Sequence, residues 1–145
     1  MRWRQEDGAA AVEFALLLPL IVIILFATTE FGINMAKWED YESAAREGAR
    51  YAAVSCEPRQ TGDSTTGPCT KAMIVRAINN AASSPPIAES DLTVTTATPG
   101  SMDCSLPTNR GNPIAVQWQQ TFTFDIPLLT IGSRVRTIKG VFRCE

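Results

Sequence analysis

The sequence predicts an α+β fold, in which a long amino-terminal transmembrane helix continues into a small antiparallel-sheet domain. Three observations predict it. Residues 14–27 read FALLLPLIVIILFA and carry no charge. A helical pattern then runs on to Ala53, while residues 114–126 alternate in part between apolar and polar with the period of a strand. All four cysteines, Cys56, Cys69, Cys104 and Cys144, follow the apolar run.

Composition narrows the function before any motif is read. With 145 residues, 45% of them hydrophobic, the chain can bury one modest core. A net charge of -2 and scattered basic residues exclude the dense cationic face that nucleic acid requires, so no nucleic-acid partner is expected. The absence of histidine removes the usual general base and the commonest zinc ligand. Asp91, Asp103 and Asp125 are dispersed, and no Ser-His pair, Cys-His pair or glycine-rich phosphate loop occurs. No catalytic residue, metal or cofactor is expected, and the chain does not read as an enzyme.

The apolar run decides the class. With Ala9 to Val12 before it and Thr28 and Thr29 after it, only Glu13 interrupts roughly 20 residues, enough to cross a bilayer core. Pro19 would be costly inside a helix in water, whereas a membrane helix can re-satisfy the freed carbonyl locally. Arg2 and Arg4 precede the run, and acidic residues count little for orientation, so the short arm is expected in the cytoplasm. The remainder then lies outside. A cleaved secretory signal is the plain alternative, but the arm is half acidic and no Ala-x-Ala site follows Phe26.

Cysteines exposed to an oxidising compartment read as two disulfides. Four cysteines allow three connectivities, of which we favour Cys56 with Cys69 and Cys104 with Cys144. The first closes a polar loop, and the second ties back the last strand.

Residues Gly8-Ala-Ala-Ala-Val-Glu13-Phe14 place a glycine at the end of a polar arm and then one carboxylate beside an aromatic at the membrane edge. A glycine opposes extension of the chain little, as a scissile bond requires. A carboxylate costs about 3 kcal/mol at mid-bilayer and less near the interface, so Glu13 either snorkels to headgroups or finds a partner. This pattern resembles the signal of type IV-like prepilins, and most closely the TadE-like proteins of the tight-adherence (Flp) pilus. Glu30-Phe31-Gly32 is similar to that family's motif at the end of the span. Ser43-Ala-Ala-Arg-Glu-Gly48-Ala-Arg-Tyr-Ala-Ala53 is similar to its following segment.

The resemblance implies a minor pilin or pseudopilin, serving pilus assembly and surface attachment. It implies a prepilin peptidase cutting between Gly8 and Ala9, with Glu13 as the assembly carboxylate and Phe14 as its aromatic neighbour. Other pilin or pseudopilin subunits and the inner-membrane assembly machine are the implied partners. The chain divides accordingly into a cytoplasmic leader (1–8), a transmembrane assembly helix (9–31) and a periplasmic α+β domain (32–145). It would sit once across the bacterial inner membrane and enter an extracellular pilus on assembly. The competing reading is an anchored periplasmic binding module that never joins a filament.

Beyond the span, Ala45, Gly48, Ala49 and Ala52 make a stripe of small residues. It can admit a neighbouring backbone, or lie against the chain's own sheet. Glu42, Arg46 and Arg50 share another stripe. Residues 57–68 read as a loop. Residues 70–83 read as a short helix with Met73, Ile74, Ala77, Ile78 and Ala81 on its apolar face. Strands are expected at 92–98, 114–126 and 134–143, with Val116, Trp118, Phe122, Phe124 and Ile126 inward on the second.

Overall fold

The computed structural model describes residues 6–54, 69–99, 102, 104, 107–126 and 129–144. Helix α1 spans Glu6–Val54 without a break, through Pro19. Helix α2 spans Lys71–Ala81, and strands β1 (Thr93–Thr95), β2 (Pro113–Ile126) and β3 (Leu129–Arg143) follow. The strands form one antiparallel sheet in the order β1-β2-β3, with Thr93 opposite Gln117 and Thr95 opposite Ala115. The chain packs as two units, Met1–Met35 with Phe122–Arg134, and Ala36–Thr121 with Val135–Glu145.

In the second unit the later part of α1 supplies the small stripe. Tyr41, Ala44, Ala45, Ala49, Ala52 and Ala53 are buried there. The stripe is occupied from within the chain. A Cβ on Gly48 would overlap the Ile78 side chain of α2, and one on Gly140 of β3 would run into the Ala45 carbonyl. Glycine at 140 therefore permits direct contact between helix and strand backbones. Trp118 meets Tyr41 edge-on, with ring centroids 6.1 Å apart and planes at 81°. Its buried Nε1 has no hydrogen-bond partner among the described residues.

Thr70 caps α2, its hydroxyl accepting from the Met73 N–H at 3.4 Å. The buried face is Ile74, Val75 and Ile78, whereas Met73 is exposed. The face is thus rotated toward Val75 from the one expected, because Ile78 and Ile74 must reach the gap at Gly48. Asn79 fastens the following segment, donating to the Ile87 carbonyl at 3.1 Å and accepting from its N–H at 2.9 Å. β1 is shorter than the expected 92–98 strand. Thr98 N–H is diverted to the side chain of buried Asn109 at 2.8 Å, so the chain leaves the ladder.

Along β2, Ile114, Val116, Trp118, Phe122 and Ile126 are buried and Phe124 is half-buried, following the expected alternation. β3 begins at Leu129, ahead of the expected Arg134, and passes through Gly132 at φ +100°. Only glycine adopts that conformation readily. Cys104 is bonded to Cys144, with Cα atoms 5.2 Å apart. Gly111, at φ +76°, donates to the Cys144 carbonyl at 2.8 Å, and Cys144 donates to the Asn112 carbonyl at 3.0 Å. Cys69 is also disulfide-bonded, while its expected partner Cys56 lies outside the described residues, as does the 57–68 loop.

Candidate functional site

Helix α1 is long and apolar enough to cross a membrane, and none of its most apolar window is buried. Leu16, Leu17, Leu18, Leu20, Ile21, Ile24, Leu25 and Phe26 are all exposed. Covering a side chain of this size stabilises by about 1.5–3 kcal/mol. Eight left about half exposed to water would forfeit an amount comparable to the typical margin of a whole domain, about 5–15 kcal/mol. Such a surface requires an apolar surrounding.

Local hydrogen bonding suits the same surrounding. Thr28 donates its hydroxyl back to the carbonyls of Ile24 (3.0 Å) and Leu25 (2.9 Å), and Thr29 donates to Leu25 at 2.9 Å. Both polar side chains are satisfied by their own helix and need no water. Beyond them Asn34, 6% exposed, donates through Nδ2 to the Glu30 carbonyl (3.0 Å), Glu30 Oε1 (3.3 Å) and the Thr123 carbonyl (3.0 Å). Sequence reading singled out Glu30 but passed over Asn34. Its signal was a polar side chain one turn after a helical acid.

At the other end Gly8 and Ala9 lie inside α1, in its first turns, rather than in extended chain. Any enzyme acting on the bond between them must unwind those turns, which lack the complete set of helical hydrogen bonds. A Cβ on Gly8 would meet nothing within 4 Å, so the position is open to an approaching molecule. Glu13 and Phe14 are exposed on the next turn, Phe14 at 60%. Glu13 has no hydrogen-bond or ion-pair partner among the described residues. The helix thus brings Gly8, Ala9, Glu13 and Phe14 into two adjacent turns, each of them exposed. Among the described residues Cys69, Cys104 and Cys144 belong to the other packing unit.

Past the apolar run, in the other packing unit, α1 carries a second polar fastening. Asp40 Oδ2 accepts from the N–H groups of Ser83 (2.9 Å) and Ser84 (2.8 Å). The hydrogen bond to the Ser84 side chain, aided by these N–H groups and opposed by desolvation, holds the Asp40 carboxyl below the usual aspartate range. Tyr41 donates to the Pro85 carbonyl at 3.0 Å. Burial, and then the Asp40 charge, push its hydroxyl above the ordinary tyrosine value. These residues build the domain and present no reactive pair. No cluster of three or more metal-ligating side chains occurs among the described residues.

Neither a curated protein nor a solved structure matches the chain. A protein-family model does, over the stretch that begins at the exposed glycine and ends in the small-residue stripe. Residues 8–50 match the family described as TadE-like protein, the family that the sequence motifs resemble.

Proposed function

We propose that this chain is a minor pilin or pseudopilin of a tight-adherence (Flp) type IV-like pilus, a structural subunit serving assembly and attachment rather than an enzyme. The observation that carries the reading is where the family match begins. It starts at Gly8, the last residue of the short polar arm, and takes in Glu13 and the whole exposed apolar run. In this reading residues 1–8 are a cytoplasmic leader removed by a prepilin peptidase between Gly8 and Ala9. Residues 9–31 hold the subunit in the inner membrane, and residues 32–145 form the periplasmic domain.

Cleavage creates a positive amine on Ala9. Within one subunit the amine and Glu13 are four residues apart, close to one turn of helix. That internal pair leaves much of each group's desolvation uncompensated at the edge of a low-dielectric slab. A neighbouring helix shifted along the assembly axis can offer its own Glu13 to the amine, so the pair reports axial register. Removing one partner of such a buried pair costs about 3–5 kcal/mol. Glu13→Ala is therefore expected to insert and be cut after Gly8, yet fail to co-assemble with other pilins, and Glu13→Asp to be intermediate. Wild-type piliation and attachment by Glu13→Ala would show that the carboxylate merely snorkels.

A further inference from the structure

We propose that the outer face of the β-sheet is a binding trough for a neutral oligosaccharide. Every residue of the trough belongs to the packing unit Ala36–Thr121 with Val135–Glu145. The proposal does not depend on α1 crossing a membrane or on the pilin reading.

Successive side chains of a strand take opposite faces of the sheet. Leu92, Trp118 and Ile138 take the core face and are buried. Asp91, Thr93, Gln117, Gln119 and Thr137 take the other face, where Gln117 is half-buried and the rest are exposed. Thr93 lies opposite Gln117 across β1 and β2, and Thr137 joins them from β3. With Trp118 beneath, these side chains line a hollow of about 360 Å³. Sites for small molecules start at about 300 Å³.

The hollow does not end there. The next residue of the same face on each strand, Thr95, Ala115 and Lys139, lines a second hollow of about 410 Å³, together with Pro113 and Val141. The two hollows therefore follow one another along β2 from Gln119 to Pro113, about 20 Å. That length suits a chain of linked rings rather than a single small molecule.

The lining specifies the chemistry. The side chains of Thr93, Gln117, Gln119 and Thr137 make no hydrogen bond among the described residues. The Asp91 carboxylate accepts only from the Ser90 hydroxyl, at 3.0 Å. Amides and hydroxyls both donate and accept, and a carboxylate accepts through two oxygens. Sugar hydroxyls, which also donate and accept in adjacent pairs, match this set. No cation lines the first hollow to hold an anionic group, and Asp91 repels one. No acid lines the second, and Lys139 repels a cationic ligand. An uncharged ligand is favoured along the whole trough. Pro113, Ala115 and the exposed Val141 give the second hollow an apolar floor, which suits the C–H face of a sugar ring. An extended peptide is served less well, because its main chain is recognised at an open sheet edge and the trough lies on a face.

The test uses the purified, isotope-labelled full chain in micelles of a zwitterionic detergent, since a glycoside detergent would compete. The probes are maltohexaose, cellohexaose, mannohexaose and N-acetylchitohexaose at millimolar concentration. At least one is expected to shift the side-chain amide resonances of Gln117 and Gln119 saturably. Gln117→Leu combined with Thr137→Val removes two hydrogen-bonding partners outside the core. That variant is expected to bind the same probe about tenfold more weakly, with an unchanged thermal midpoint. No saturable shift from any of the probes, or equal affinity in the double variant, would overturn the proposal. Tighter binding of hexagalacturonate than of every neutral probe would overturn the neutral class, and tighter binding of an uncharged extended peptide would overturn the sugar. Cleavage after Gly8 is untouched by each of these outcomes, so the pilin reading stands or falls separately.

Discussion

Helix α1 is one continuous element whose two parts meet different surroundings. Between residues 9 and 29 it carries large side chains, Leu, Ile and Phe, and nearly all are exposed. Between 41 and 53 it carries Ala and Gly on one stripe, and that stripe is buried. Large apolar residues at the surface suit fluid lipid, which conforms to any shape. Small ones suit a fixed neighbour, because they let α2 and β3 come close to the helix backbone. Hydrophobicity alone does not separate these cases. Side-chain size and exposure do.

The contrast predicts where substitutions are felt. The largest effect belongs to the cross-link of the packed part. Cys104 and Cys144 are separated by 40 residues, and opening a loop of that length costs about 4 kcal/mol in chain entropy. The double change to serine is expected to lower the denaturation midpoint of the domain steeply, while α1 stays in the detergent micelle or bilayer. Release of the helix along with the domain would break the distinction between the two parts.

Next is Gly140→Val. The new Cβ meets the Ala45 backbone rather than a side chain that can rotate away, so about 3 kcal/mol or more is expected. Thermal unfolding in detergent measures it, and an unchanged midpoint would mean that helix and strand are not in backbone contact.

A smaller effect, about 1 kcal/mol, is expected for Asp40→Asn, since the bonds to Ser83 and Ser84 are partly screened by water. The folded-state pKa is lowered, so the carboxylate's contribution is complete above the ordinary aspartate value of about 3.9. It is lost as pH falls through the lowered folded value. Parent and variant should therefore differ at neutral pH and converge in strong acid. A gap that widens on acidification would reverse the assignment.

The smallest effect sharpens the contrast most. Leu17→Ala deletes a large side chain, but one that is 49% exposed, and the domain's midpoint should move by less than about 0.5 kcal/mol. A loss of the size seen for core leucines would mean that this part of α1 packs on protein.

Much of this was legible before the fold was known, for physical reasons. The uncharged run, the glycine followed by Glu13 and the alternation of 114–126 are local patterns, and each reports on its own segment. The occupants of the small stripe were not legible. A stripe of alanines declares that something comes close, and Ile78 and Gly140 lie far away in sequence. Val75 replaced Met73 on the face of α2 for the same reason, because the rotation of a short helix is set by the gap it fills. Asn34 was missed because its third acceptor, the Thr123 carbonyl, is a backbone atom 89 residues away. The site itself was read from residue types alone, and the structure adds that Gly8 is helical and Glu13 open.

The reading of the chain as a pilin-type subunit stands most directly on the bond between Gly8 and Ala9. Intact-mass measurement of the protein extracted from membranes of cells that contain a prepilin peptidase tests it in one step. The account predicts a chain beginning at Ala9 with both disulfides formed, and an uncut chain for Gly8→Val. A mature protein beginning after Ala27, or a full-length Gly8 protein in the presence of active peptidase, would contradict it.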